Sequence, residues 1–177
     1  MSFKDVPAGK NIPHEINVII EIPAFAPPIK YEIDKETEVV WVDRLQATTM
    51  SYPANYGYVN QTLALDGDPV DVLVVTPHPL MVGCVMPCRP IGMLKMTDDG
   101  GEDSKIIAVP TNKMTPIYQA VEKVEDLPLI KEQTEHFFSH YKDLEPGKWV
   151  KIEGWEDANM AKREILEAYE RYCSQSR

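Results

Sequence analysis

Short apolar runs separated by Pro, Gly and Asp residues occupy most of the chain before residue 111. Their residues are mostly β-branched or alternate between apolar and polar, which is typical of β-strands. Seven segments fit this description: Asn17–Ile22, Lys30–Ile33, Val39–Val42, Val70–Thr76, Val82–Met86, Ile91–Met96 and Lys105–Val109. Several short strands at such close spacing favour a small β-barrel.

The apolar period changes to that of a helix in the last third of the chain. After Pro128, which suits a first helical turn, one face recurs at helical spacing: Ile130, Thr134, Phe137, Phe138 and Tyr141. A second helix is predicted over Ala158–Tyr172, with Asp157 as its cap. Its predicted inner face comprises Ala161, Ile165, Ala168, Tyr169 and Tyr172. Between the helices, Trp149–Trp155 is predicted to form one more strand, whereas Thr111–Leu127 has no clear pattern.

The length and composition favour a single domain over residues 1–177. A chain of 177 residues with 44% hydrophobic composition can bury a substantial core. Its 18 Lys and Arg residues face 28 Asp and Glu residues, which gives a net charge of −10. This charge disfavours nucleic-acid binding, because a polyphosphate backbone would be repelled. An acidic protein can still bind a small anion if metal cations lie between the two.

Cysteine usage and hydropathy indicate a soluble protein of the cytoplasm. Cys84, Cys88 and Cys173 form an odd set without the CxxC spacing of a zinc ribbon, and they favour reduced thiols over a disulfide framework. The N-terminal MSFKDVPAGK is not followed by the apolar core of a signal peptide. We therefore expect a cytoplasmic protein that does not associate with a membrane.

The most informative segment is Asp66–Asp71, which has three carboxylates among six residues and continues directly into a predicted strand. Asp66 and Asp68 face the same side of an extended chain, where their charges repel unless a cation lies between them. An EF-hand loop is excluded, because its sixth position is Asp71 rather than Gly and its twelfth is Pro77 rather than Glu. Two interpretations remain: a Mg²⁺ site, or an acidic turn bent by Gly67 and Pro69.

Two further patterns are weaker. Asp98–Asp103 is a second acidic segment at a predicted hairpin turn, and alone it favours a solvated turn. His136 and His140 have the spacing of a zinc pair, but position 137 is Phe rather than the Glu of a zinc protease. A role on the helix face or in a subunit interface is the better interpretation of the two histidines.

Several sequence blocks together resemble one family. Asp66–Val72 (DGDPVDV) resembles the signature of the family I soluble inorganic pyrophosphatases. Further blocks match in order: VIIEIP from Val18, KYEID from Lys30, VDR ending at Arg44, YPANYGY from Tyr52, KMTD ending at Asp98, GEDSK ending at Lys105, HYKDLE from His140 and KIEGW from Lys151. The compact length resembles the bacterial type.

The resemblance implies a fold and an activity. The implied fold is mainly β with flanking α-helices around a five-stranded OB-like β-barrel. The implied activity is Mg²⁺-dependent hydrolysis of pyrophosphate to two orthophosphates by direct attack of a metal-activated water. Three to four Mg²⁺ ions per subunit and a homohexamer are also implied.

Each site residue is carried over from the matching block of the family. The implied metal ligands are Glu21, Asp66, Asp71, Asp98 and Asp103. Asp68 is the implied general base, and Tyr56 and Glu32 complete the implied catalytic set. The residues implied to bind substrate are Lys30, Arg44, Tyr52, Lys105, Tyr141 and Lys142.

Two other functions compete with this one. An OB-like barrel can bind single-stranded nucleic acid, but the acidic clusters and the net charge argue against it. A nucleotide hydrolase of the P-loop type is disfavoured, because the sequence has no GxxxxGK[ST] loop to bind a triphosphate.

Overall fold

The structure is a computed structural model that describes residues 2–175. Its strands are β1 (Ile16–Ile22), β2 (Ile29–Ile33), β3 (Val40–Leu45), β4 (Asn55–Val59), β5 (Val70–Val74), β6 (Val85–Asp98), β7 (Gly101–Glu102), β8 (Lys105–Pro110) and β9 (Val150–Glu156). Its α-helices are α1 (Pro128–His140) and α2 (Ala158–Gln175), and short 3-10 helices lie at Phe3–Asp5 and Val124–Asp126.

Five strands close into a ring, which confirms the predicted fold. Hydrogen bonding follows the order β1, β4, β5, β8 and β6, and β6 pairs again with β1. The β5–β8 pair is parallel, and the other pairs of the ring are antiparallel. Strand β6 is 14 residues long and extends beyond the ring, where it pairs with β7 and β9.

Two strand predictions were wrong for identifiable reasons. Val82–Met86 and Ile91–Met96 were predicted as separate strands, but the end of the first, from Val85, and the whole of the second belong to β6. A register shift between Pro90 and Gly92 keeps β6 paired with β8, so the prolines do not end the strand. Strand β4 was missed, because all five of its residues are buried and its sequence does not alternate.

The helices cover the barrel as predicted, with one exception. Asp157 caps α2, since its Oδ1 accepts hydrogen bonds from the backbone N–H groups of Asn159 and Met160, both at 2.9 Å. The buried face of α2 comprises Ala161, Ile165 and Ala168. Tyr172 was predicted to share this face, but it is 38% exposed. In α1 the buried residues are Thr134, Phe137 and Phe138. No helix among residues 2–175 is long and apolar enough to cross a membrane.

Strands β2 and β3 form a separate hairpin that stands beside the ring. The Glu21 side chain joins it to β1, because Glu21 Oε1 accepts a hydrogen bond from the backbone N–H of Ile33 at 2.8 Å. The pairing of the hairpin shifts by one residue between Lys30 and Tyr31. This shift is a β-bulge, which re-aims neighbouring side chains.

Candidate active site

A cavity of about 300 Å³ opens beside the hairpin. The predicted site residues that line it are Lys30, Arg44, Tyr52, Tyr56, Asp66, Asp68, Asp71, Asp98, Asp103, Lys105, Tyr141 and Lys142. The two others, Glu21 and Glu32, line an adjoining cavity of about 80 Å³ together with Lys30, Tyr56 and Asp68. Side chains from distant parts of the sequence therefore meet in one place.

The ring and its connections explain this convergence. Asp71 lies on β5 and Lys105 begins β8, and these two strands are neighbours. Asp98 ends β6 and Asp103 follows β7, so the tight β6–β7 turn brings the second acidic segment to the same edge. Tyr141 follows α1 directly and carries its aromatic ring into the cavity wall.

Lys105 is the central cation of the cavity. Its side chain is 4% exposed, and its Nζ lies 2.6 Å from both Asp71 Oδ2 and Asp103 Oδ1. The same ammonium donates to Tyr56 Oη at 3.1 Å. Burial by itself lowers the pKa of Lys105, but its interactions with Asp71 and Tyr56 outweigh burial and hold that pKa well above its usual value. Lys105 is therefore a permanent positive charge between two carboxylates.

A second group of ion pairs involves Asp98 and Asp99 of the second acidic segment. Lys142 Nζ donates to Asp98 Oδ2 at 2.6 Å and lies 3.6 Å from Asp99 Oδ1. Burial alone raises the pKa of the Asp98 carboxyl, but the hydrogen bonds from Lys142 and from the Gly100 backbone N–H, together with the Lys142 charge, outweigh burial and lower that pKa below its usual value. Lys148 also pairs with Asp99 and extends the positive charge outward.

The hairpin contributes two more cations to the cavity. Lys30 on β2 lies directly opposite Arg44 on β3. Both contact Asp43 Oδ2, with Lys30 Nζ at 3.2 Å and Arg44 Nε at 3.1 Å. Arg44 Nη1 also lies 3.4 Å from Glu145 Oε2 in the loop after α1. These two carboxylates hold cations that face the cavity.

The loop of the first acidic segment is the most open side of the site. Asp66 Oδ1 accepts a hydrogen bond from the backbone N–H of Asp68 at 3.0 Å. Burial raises the pKa of the Asp66 carboxyl, and the nearby Asp68 charge acts in the same direction. The Asp68 side chain is 71% exposed and pairs with Lys35 of the hairpin at 3.1 Å. The Asp68 carboxylate is accessible to a substrate or a water in the cavity.

Aromatic side chains form the inner wall. The ring centroids of Tyr52 and Tyr56 lie 5.0 Å apart, and those of Tyr52 and Phe137 of α1 lie 4.5 Å apart with the rings tilted by 43°. Burial raises the pKa of the Tyr56 hydroxyl well above its usual value, and it also raises the pKa of Tyr141. Both hydroxyls therefore stay protonated near neutral pH and can donate hydrogen bonds without adding charge.

Glu21 is the most deeply buried acid of the site, at 7% exposed. Burial raises the pKa of its carboxyl to about 7, although the hydrogen bond from Ile33 lowers it in part. The nearby charges of Asp71 and Glu32 raise it further. A divalent cation beside these acids would stabilise the ionised form of Glu21.

The chemistry of the donor set fits Mg²⁺. Carboxylate oxygens are the ligands that Mg²⁺ prefers, and aspartates from both acidic segments line the cavity. Within residues 2–175, no three His, Cys, Asp or Glu side chains are close enough together to ligate one ion. Lys105 lies between two of the acids and Lys142 pairs with a third, so the lysine ammonium groups counter the carboxylate charge at these positions.

The histidine pair lies outside this cavity. His136 and His140 are neighbours on α1, with ring centroids 4.8 Å apart. His140 Nδ1 lies 2.8 Å from Asp143 Oδ2, which is three residues further along the chain. His136 lines a separate apolar cavity with Phe25 and Met50.

Sequence patterns did not identify four charged residues that contact the predicted site residues: Lys35, Asp43, Asp99 and Glu145. Asp43 and Asp99 adjoin predicted site residues in the sequence, but adjacency alone does not show which way a side chain faces. Glu145 lies 101 residues from its partner Arg44, and no sequence spacing indicates that contact.

The chain is similar to inorganic pyrophosphatases along most of its length. Residues 18–173 match the family model described as inorganic pyrophosphatase. An inorganic pyrophosphatase of Yersinia pestis is 63% identical over 172 residues, which cover 97% of this chain and 98% of the relative. The inorganic pyrophosphatase of Escherichia coli strain K12 is 61% identical over the same shares of the two chains.

Solved structures give the same result for the fold. A crystal structure of an inorganic phosphatase from Anaplasma phagocytophilum superposes with a TM-score of 0.94 at 44% identity, covering 96% of this chain and 99% of the other. The inorganic pyrophosphatase of Thermus thermophilus gives a TM-score of 0.91 at 36% identity and covers 98% of this chain and 99% of its own.

Proposed function

We propose a mechanism in which the residues of this cavity hydrolyse pyrophosphate to two orthophosphates with Mg²⁺. The chain belongs to the inorganic pyrophosphatase family. The assignment of residues rests on one observation: carboxylates and cationic side chains from distant segments line the same cavity. Such a cavity can bind metal ions and a phosphorylated anion at the same time.

The charge of the cavity supports several metal ions rather than one. Six carboxyl groups and four cationic side chains line it, so the ionised cavity has a surplus of two negative charges. A fully ionised pyrophosphate adds four more, and about three divalent cations would neutralise the total. The adjoining cavity adds Glu21 and Glu32 but also Lys35, so it contributes one more negative charge and raises the number required. We therefore propose three to four Mg²⁺ ions per subunit.

The proposed ligands are the acids of both segments. Asp66, Asp71 and Asp103 would hold one ion, Asp98 and Asp103 another, and Glu21 a further ion through its waters. The three aspartates that share the first ion would have to move closer together than they are in this structure. When bound, Mg²⁺ neutralises the phosphoryl oxygens and lowers the pKa of the attacking water.

The cationic side chains bind and orient the substrate. Lys30, Arg44 and Lys142 lie around the cavity and would contact phosphoryl oxygens, together with the central Lys105. Arg44 can donate two parallel hydrogen bonds to one phosphoryl group, whereas a lysine acts as a point charge. The hydroxyls of Tyr52, Tyr56 and Tyr141 add neutral donors. Fixing the substrate in this way aligns the phosphorus with the attacking water.

Asp68 is the proposed general base. Its exposed carboxylate faces the cavity and can accept the proton of the attacking water. The water oxygen then forms a bond to one phosphorus while the bridging P–O bond breaks, and the second phosphate leaves with the bond electrons. Glu32 in the adjoining cavity and the Tyr56 hydroxyl complete the proposed catalytic set.

We also propose a homohexamer in the cytoplasm, as the family resemblance implies. Exposed apolar side chains support assembly, because β3 leaves Trp41, Val42 and Leu45 each more than half exposed. Surfaces of this kind are often covered by another subunit.

Release of phosphate from pyrophosphate tests the function directly. The purified protein should release two phosphates per pyrophosphate with Mg²⁺ present, and EDTA should remove almost all of this activity, because the acidic cavity alone repels the substrate. ATP in place of pyrophosphate is the matched control and should turn over far more slowly. Equal rates with Mg²⁺ and with EDTA would reject the proposed function.

A further inference from the structure

Asp43 owes its position to the β-bulge of the hairpin. Lys30 pairs with Arg44 and Tyr31 pairs with Val42, so Asp43 is the extra residue on β3. In a regular strand, the side chains of Asp43 and Arg44 would point to opposite faces. A bulge turns two consecutive side chains toward one side. The 3.1 Å contact between Arg44 Nε and Asp43 Oδ2 fits this geometry.

One carboxylate oxygen of Asp43 contacts both Lys30 and Arg44. Asp43 Oδ2 lies 3.2 Å from Lys30 Nζ and 3.1 Å from Arg44 Nε. Like charges directly opposite each other on paired strands destabilise the pair and push the side chains apart. A shared anion removes this repulsion and holds the two cations side by side.

The contact network distinguishes the two cations. Arg44 has a second carboxylate partner in Glu145, whose loop follows α1. The ion pair of Lys30 is with Asp43. Burial alone raises the pKa of the Asp43 carboxyl, but the interactions with Lys30 and Arg44 together outweigh burial and keep this pKa below its usual value. Asp43 is therefore ionised at neutral pH.

We propose that Asp43 is a positioning residue of the pyrophosphate site, which holds Lys30 and Arg44 together so that both contact one phosphoryl group. This inference rests on the proposed function, in which Lys30 and Arg44 bind phosphate oxygens. Asp43 itself lines a neighbouring cavity with Trp41 and Val42 and does not line the substrate cavity. Its effect on the reaction is exerted through the two cations.

Asp43→Asn tests the inference, because it keeps the shape of the side chain and removes its charge. The variant should raise the KM for pyrophosphate at saturating Mg²⁺ on the order of five- to tenfold, since two binding groups lose their fixed orientation. The inhibition constant for inorganic phosphate should rise by a similar factor. The value of kcat should fall by less than about threefold, because phosphate contacts of this kind act in both the bound state and the transition state.

Glu36→Gln is the matched control. Glu36 lies at the exposed turn of the same hairpin, and its substitution removes the same charge without touching the contacts of Asp43. Its KM and its phosphate inhibition constant should stay within about twofold of the original protein, because an exposed charge away from the cations is screened. Asp43→Glu keeps the charge but displaces it, so both constants should still rise. If the thermal midpoint of Asp43→Asn falls below the assay temperature, Asp43→Glu takes its place: a rise in both constants supports the inference, and unchanged constants overturn it.

The inference would be overturned if the KM for pyrophosphate and the phosphate inhibition constant of Asp43→Asn were unchanged or lower than in the original protein. Lower values would mean that Asp43 only competes with phosphate for the cations. Lys30→Met and Arg44→Met separate this failure from a failure of the proposed function. Both variants should raise the two constants more than Asp43→Asn does. If they do not, Lys30 and Arg44 do not bind phosphate and the substrate assignment itself is wrong.

Discussion

Asp68→Asn should lower kcat for pyrophosphate hydrolysis by about a thousandfold, within the range that removal of a general base produces. The substitution keeps the shape of the side chain but leaves no carboxylate to accept the proton of the attacking water. The side chain is 71% exposed, so its loss should leave the free energy of unfolding nearly unchanged. Steady-state phosphate release and urea unfolding measure the two quantities.

Asp5→Asn provides the control for this experiment. Asp5 is exposed near the N-terminus and lies outside both site cavities, so the same chemical change there should leave kcat unchanged. Near-normal turnover in Asp68→Asn would remove Asp68 from its role as base. A large loss of folding stability would instead show that the loop of Asp66 and Asp68 is structural.

Lys105→Met should have the second large effect, which combines activity with stability. The Lys105 ammonium lies 2.6 Å from the carboxylates of Asp71 and Asp103, and methionine would leave these two charges facing each other. Breaking a buried ion pair from one side costs about 3–5 kcal/mol, and the partial exposure of the two aspartates reduces this to about 2–3 kcal/mol. The value of kcat should fall at least about a hundredfold, because a fixed charge beside the substrate is lost.

The loss of stability should depend on metal. In the proposed metal site, Mg²⁺ would take the place of the ammonium between the carboxylates, so the ion should stabilise Lys105→Met more than it stabilises the original protein. Urea unfolding of both proteins, with EDTA and with saturating Mg²⁺, measures this difference. Lys113→Met, at an exposed lysine outside the cavity, should unfold like the original protein in both buffers. An equal response of Lys105→Met and the original protein to Mg²⁺ would contradict a metal site at Asp71 and Asp103.

An acidic protein can bind an anion when cationic side chains line the binding site. The chain has a net charge of −10, yet four cationic side chains line the cavity, and Lys105 and Lys142 are paired with its acids. The two lysine ammonium groups contact Asp71, Asp103 and Asp98 and counter the negative charge of these carboxylates. In the proposed function, these carboxylates would bind divalent cations, which would supply the remaining positive charge that the substrate requires.

The sequence predicted the barrel better than the boundaries of its strands. β-Branched segments such as β1 and β8 bury one or both faces and fall close to their predicted bounds. Strand β6 was divided at Pro87 and Pro90, because the register shift that keeps it paired depends on the neighbouring strand β8. Strand β4 is buried along its whole length, and its sequence lacks the alternation that identifies half-buried strands.

The candidate site was predicted from two different sources. The spacing of Asp66, Asp68 and Asp71 alone left a metal site and an acidic turn equally open, and the family resemblance supplied the individual roles. The ion pairs could not be predicted by either route. Asp43 faces Lys30 only because of a bulge, and Glu145 meets Arg44 only because the loop after α1 returns to the hairpin. Such contacts are set by the three-dimensional packing rather than by local sequence.

The central claim is that the carboxylates of the cavity bind divalent ions, and anomalous diffraction from crystals soaked in Mn²⁺ tests it most directly. Mn²⁺ accepts the same oxygen ligands as Mg²⁺ and can be located without substrate in the site. We expect anomalous peaks inside the cavity, beside Asp66, Asp71 and Asp103 and beside Asp98. Peaks confined to other surfaces of the protein, with none beside these carboxylates, would contradict the account.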